Sequence, residues 1–130
     1  MPSPNSIHAV LFDLDGTLRH NRPGGFETFV EYLEELGHVP APAQIYAGER
    51  WNHYYWAASP ELVADIAEAG GEDRALWKRH AERQLYALGV SGDVTALAAE
   101  LNSMFTERYE FSHHVPDDVA PTLARLRELG

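Results

Sequence analysis

The spacing of apolar positions changes once along this chain, close to its beginning. Residues 7–12, Ile-His-Ala-Val-Leu-Phe, are nearly all apolar and rich in β-formers. A run this short is the pattern of a strand buried on both faces. From Phe26 onward the spacing is helical. Phe26, Phe29, Val30, Leu33 and Leu36 share one face, and Gly37 is placed to stop that helix. After a proline-rich linker at 39–42, a second helix is expected over about 43–58, carrying Ile45, Tyr46, Trp51, Tyr54, Tyr55 and Trp56. Ser59-Pro60 supplies an N-cap followed by proline at the first helical position, and Gly70-Gly71 closes the short helix it opens. A fourth helix, about 72–88, is expected to bury Leu76, Trp77, Ala81, Leu85 and Leu88. The fifth, about 92–109, has the most regular stripe: Val94, Leu97, Ala98, Leu101, Met104 and Phe105. A connector at 110–117 leads to a last helix from about Asp118, which presents Leu123, Leu126 and Leu129 and has Gly130 as its C′ residue. Residues 1–6 form a polar lead-in.

No second strand is evident after residue 12. A strand buried on both faces needs partners for its N–H and C=O groups, and helices cannot supply them. The last helix stops where an α/β protein would begin its next strand. The expectation is therefore the front portion of a longer protein.

The apolar run ends in Asp13 and Asp15, with Gly16 and Thr17 directly behind. In extended chain, residues i and i+2 face the same way, so both carboxylates leave the strand's carboxyl end together. In open parallel sheets that end is where ligands bind. Three readings compete. One is a plain Asp-Gly surface turn. A calcium loop needs Gly at its sixth position and Glu at its twelfth; counting from Asp13, Gly falls at the fourth and Gly24 at the twelfth, so that pattern fails. The third is a nucleophile with an acid/base partner: Asp13 attacks a phosphoryl group, while Asp15 protonates the leaving oxygen and then activates water. Mg²⁺ would neutralise the pair and hold the phosphate.

Phe12-Asp13-Leu14-Asp15-Gly16-Thr17-Leu18 resembles the first motif, Asp-x-Asp-x-Thr after a hydrophobic strand, of the haloacid dehalogenase-like hydrolase superfamily. The resemblance implies an α/β fold with a Rossmann-type core, represented here by one core strand, a mostly α-helical cap and one returning core helix. Its implied divisions are 1–19 for the strand and catalytic turn, 20–110 for the cap, and 111–130 for the linker and returning helix. It implies Asp13 as nucleophile and Mg²⁺ ligand. Asp15 becomes the general acid/base, with its backbone carbonyl also on the metal. Gly16 and Thr17 supply the turn and its supporting hydroxyl, at the substrate's side. Dehalogenating members typically lack the second Asp, so Asp15 points to phosphoryl chemistry on a small phosphorylated metabolite. At 18–21 the family's common Leu-Val-Asp-Ser is replaced by Leu-Arg-His-Asn. Arg19 and His20 are thus candidate substrate-binding residues, or else a solvated loop. The family's later Ser/Thr, Lys and acidic pair have no counterpart within these residues and are expected beyond Gly130.

Composition narrows the partners. The 130 residues carry ten basic and twenty acidic side chains, a formal charge of −10, which disfavours nucleic acid or an anionic membrane as partner. There is no cysteine, no signal-peptide pattern and no transmembrane-length run, so a cytoplasmic protein is expected. The seven histidines include no i, i+4 pair of the helical zinc type, and the adjacent His113-His114 would diverge in extended chain. The aromatics of 50–56 cannot all face one core, so some are expected at a pocket or surface, with Arg50 and His53 near one helix face. These rings support a second functional reading, a non-catalytic helical interaction module that keeps an inherited acidic turn.

Overall fold

The computed structural model describes residues 7–129, so the lead-in of residues 1–6 and the C′ role of Gly130 lie outside the described residues. These residues form a mostly helical protein with one small sheet. The elements are β1 (His20–Arg22), α1 (Gly25–Glu35), α2 (Pro42–Trp56), α3 (Pro60–Ala69), α4 (Asp73–Ala87), α5 (Thr95–Arg108), β2 (Ser112–His114) and α6 (Val119–Glu128). The chain divides into two compact units, Gly25–Tyr109 and the segments that flank it. Among the described residues, no helix is long and apolar enough to cross a membrane.

In the flanking unit, residues 7–12 correct the expectation of a strand buried on both faces. They join no β-ladder and are exposed, Ile7 at 80% and Leu11 at 95%. The physical reason is the one noted above: the described residues offer no neighbouring strand to receive their backbone groups. The expectation of no later strand is corrected too. β1 and β2 pair antiparallel, with His20 opposite His114, Asn21 opposite His113 and Arg22 opposite Ser112. α6 begins where expected but buries no side chain, and its Leu123 and Leu129 remain exposed.

The helical unit follows its local signals closely. α1 ends in a Schellman arrangement, with His38 N–H donating to Leu33 O at 3.1 Å and Gly37 N–H to Glu34 O at 2.9 Å. Ser59 caps α3, its Oγ accepting from Leu62 N–H at 3.1 Å. The core joins Phe29, Tyr32 and Leu33 of α1 to Ala81 and Leu85 of α4 and to Ala98 and Leu101 of α5. α2 comes close to the C-terminal end of α4 at Gly48, where a Cβ would lie 2.6 Å from Leu88 Cδ2, so a larger residue would force the buried Leu88 side chain to shift. Gln84 Nε2 uses that closeness to donate to Gly48 O at 3.1 Å. At the other end of the core, the Arg108 guanidinium grips both carboxylate oxygens of Glu35, at 2.8 and 2.9 Å.

One face of this unit buries polar chemistry. Arg83 forks onto both oxygens of Asp65, at 2.7 and 2.8 Å, and the buried Tyr55 hydroxyl donates to Asp65 Oδ2 at 2.9 Å. Burial alone would raise the Asp65 pKa; the donors from Arg83 and Tyr55 outweigh it and hold the carboxyl below its usual range. Beside it, His80 is packed by Trp51, Tyr55, Trp56 and Trp77. Trp77 itself is half exposed, at 51%, so its expected burial is corrected. It covers the imidazole from outside instead of joining the Leu85 side of α4. Trp56 Nε1 can only donate, so the Asn52 atom 3.1 Å away is the carbonyl oxygen. His80 Nε2, also 3.1 Å from that oxygen, therefore carries its ring hydrogen.

Burial pushes the His80 pKa down from 6.5 to about 4, with the nearby Asp65 charge opposing only in part. The unfolded chain accepts this proton near 6.5, so between those values it binds more protons than the folded one. Stability is expected to fall as pH drops through that window, by ~3 kcal/mol from this group. Urea unfolding of the wild type and of His80→Phe across pH 4 to 7 checks it: the variant should show a shallower slope.

Candidate active site

Gly16 makes the acidic turn possible. Its φ of +84° is a conformation that a side chain disfavours, and there it donates N–H to Arg19 O at 2.8 Å. Leu14 O accepts from Leu18 N–H at 2.9 Å and from Arg19 N–H at 3.1 Å. The chain thus coils once and returns, bringing Arg19 beside Asp15 as an isolated bridge. Two side-chain contacts follow. Thr17 Oγ1 donates to Asp13 Oδ2 at 3.0 Å, and Arg19 Nε donates to Asp15 Oδ1. Asp13, Asp15, Gly16, Thr17 and Arg19 therefore share one turn.

The two carboxylates are dressed differently. Asp13 has a neutral hydroxyl on one oxygen. Asp15 has a cation, and the Arg19 hydrogen bond holds its carboxyl below the usual range, aided by the charges of Arg19 and His113. Both groups are solvent-exposed, so solvent screens these effects. Asp15 as it stands is ionised with its proton affinity reduced, so its use as either acid or base requires that the Arg19 pair loosen.

The sheet adds residues that sequence reasoning missed. Asn21 and His113 face each other across the ladder, His113 Nδ1 lying 3.1 Å from Asn21 Oδ1. The Phe111 ring packs edge-on against His113 with centroids 5.4 Å apart. No local signal could have found this pair, because the partners are 92 residues apart in the chain. By strand alternation His20 stands with His114 on the opposite face of the ribbon from Asn21 and His113. His53 and Arg50 belong to the helical unit; Arg50 lies over the Tyr46 ring at 5.8 Å.

Mg²⁺ prefers oxygen donors, and it commonly takes only one or two carboxylates, filling its octahedron with water and substrate phosphate. Asp13 and Asp15 fit that donor chemistry. Among the described residues, no group of three or more His, Cys, Asp or Glu side chains gathers where a metal could be held. Any Mg²⁺ on this turn would thus depend on ligands additional to these two acids.

Comparison of the chain with protein-family models, with curated proteins and with solved structures finds no match.

The turn geometry can be checked in solution. Arg19→Ala should return the Asp15 pKa upward towards its ordinary value of about 3.9. A carboxyl ¹³C titration reads it, and an Asp15 pKa unmoved by the substitution would show that the pair does not persist in water.

Proposed function

We propose that these residues are the N-terminal part of a cytoplasmic haloacid dehalogenase-like hydrolase, a Mg²⁺-dependent phosphatase acting on a small phosphorylated metabolite. The observation that carries this reading is the glycine-built turn that holds Asp13 and Asp15 within one short exposed stretch, with Thr17 on one and Arg19 on the other. The exposed apolar segment 7–12 supports it as well: its pattern is that of a central strand whose sheet neighbours lie outside these residues.

In this reading, an Asp13 oxygen forms a bond to phosphorus as the bond from phosphorus to the leaving oxygen breaks. Asp15 gives that oxygen a proton. It then takes one from the water that attacks the aspartyl-phosphate, releasing inorganic phosphate and restoring Asp13. An incoming phosphoryl dianion competes for Arg19 and adds negative charge beside Asp15. Both effects raise Asp15's affinity for the proton it must donate. Thr17 keeps Asp13 aimed. Bound Mg²⁺ would supply charge neutralisation for the phosphoryl oxygens, with the Asp13 carboxylate and the Asp15 carbonyl as its protein ligands.

The alternative, a non-catalytic helical interaction module, draws on the half-exposed Trp77 and on Trp56 at 40%. Turnover separates the two. In the full-length protein that carries these residues, Mg²⁺-dependent release of phosphate from aryl or sugar phosphates is expected. Asp13→Asn should abolish it, and Asp15→Asn should slow it by roughly 10²–10⁴-fold. The 130 residues alone should release little, since each absent stabilising donor costs ~2.7–4 kcal/mol. Robust turnover by these residues alone would overturn the N-terminal-part reading, and full activity of Asp13→Asn would overturn the site.

A further inference from the structure

The histidine delivered by β2 extends this site. We propose that His113 is a substrate-contact residue that hydrogen-bonds, through Nε2, a phosphoryl oxygen held beside Asp13 and Asp15; this rests on the phosphatase reading above. Three observations converge on it. The ladder register sets His113 directly opposite Asn21, two residues beyond Arg19, on the strand that continues out of the acidic turn. The Nδ1 end of the ring is taken by Asn21 Oδ1 at 3.1 Å and its flank by the Phe111 ring, so the ring is held on two sides and Nε2 is the nitrogen that Asn21 does not engage. Its charge also reaches Asp15 across 98 residues of chain, so the two belong to one electrostatic neighbourhood.

The chemistry follows from this placement. With Nδ1–H donated to Asn21, a second ring hydrogen on Nε2 makes the imidazolium a directed donor to an anionic oxygen. A carboxylate pair alone repels a phosphate, and Arg19 is already engaged by Asp15. A second cationic donor from a distant segment lets the turn accept a dianion without stripping Arg19 completely. The neighbouring His114 is the natural control. It sits one residue on, on the opposite face of the same ribbon, paired with His20.

Nuclear magnetic resonance of the full-length protein that carries these residues, titrated with orthophosphate in the presence of Mg²⁺, tests this. The imidazole signals are assigned with His113→Gln and His114→Gln. The expected result is a saturable shift of the His113 ring signal that tracks the amides of Gly16 and Thr17, with His114 unmoved and the apparent phosphate affinity of His113→Gln about tenfold weaker. If Gly16 and Thr17 shift in an Asp13-dependent manner while His113 stays still, His113 is no substrate contact and the phosphatase reading survives. If neither the turn nor His113 responds, phosphate does not bind here and both fail. Equal responses of His113 and His114 would mean general anion accumulation, and would also overturn the inference.

Discussion

Each carboxylate of the acidic turn is met by a donor of its own, Asp13 by the Thr17 hydroxyl and Asp15 by the Arg19 guanidinium. The turn is arranged around the requirement that a charged oxygen meet a donor. Gly16 adopts the left-handed conformation that returns the chain, so Arg19 arrives beside Asp15 and Thr17 beside Asp13. β1 starts at the next residue, and its pairing with β2 adds the charge of His113. Lose the turn, and the acids lose both neighbours while the strand start shifts. The site's electrostatics and its backbone geometry are thus one feature.

The helical unit meets the same requirement in drier surroundings. Asp65 is nearly inaccessible, and it stays ionised because a forked guanidinium and a phenol hydroxyl satisfy its oxygens. Breaking such a pair leaves a buried charge without compensation, a far larger loss than breaking an exposed one. His80 takes the other course and stays neutral inside its aromatic packing, with its Nε2–H on Asn52. Around these polar groups, the close approach of α2 to α4 at Gly48 and the shared core of α1, α4 and α5 supply the apolar contacts.

What could be read from the sequence was whatever depended on near neighbours. Gly37 ended α1 and Ser59-Pro60 began α3 because caps act over four or five residues. The grouping of Asp13, Asp15, Gly16, Thr17 and Arg19 was equally local. What escaped was set at long range. β1 and β2 are the tripeptides His-Asn-Arg and Ser-His-His, with no apolar alternation to announce them, and each is a strand only because the other is present. Periodicity placed Trp77 with Ala81 on one face, but could not tell the dry side of that face from its rim. For segment 7–12 the composition of a buried strand was plain, whereas its burial depends on partners that composition cannot provide.

The central claim is that Asp13 is a nucleophile, and the most direct measurement is to find where the phosphoryl group goes. The full-length protein would be quenched in acid during turnover of an aryl phosphate with Mg²⁺, reduced with borohydride, and mapped by peptide mass spectrometry. Trapping of the intermediate at Asp13, with none at Asp15, is the predicted result. Turnover that proceeds with the trapped group on another residue, or with no trapped group at all, would contradict it.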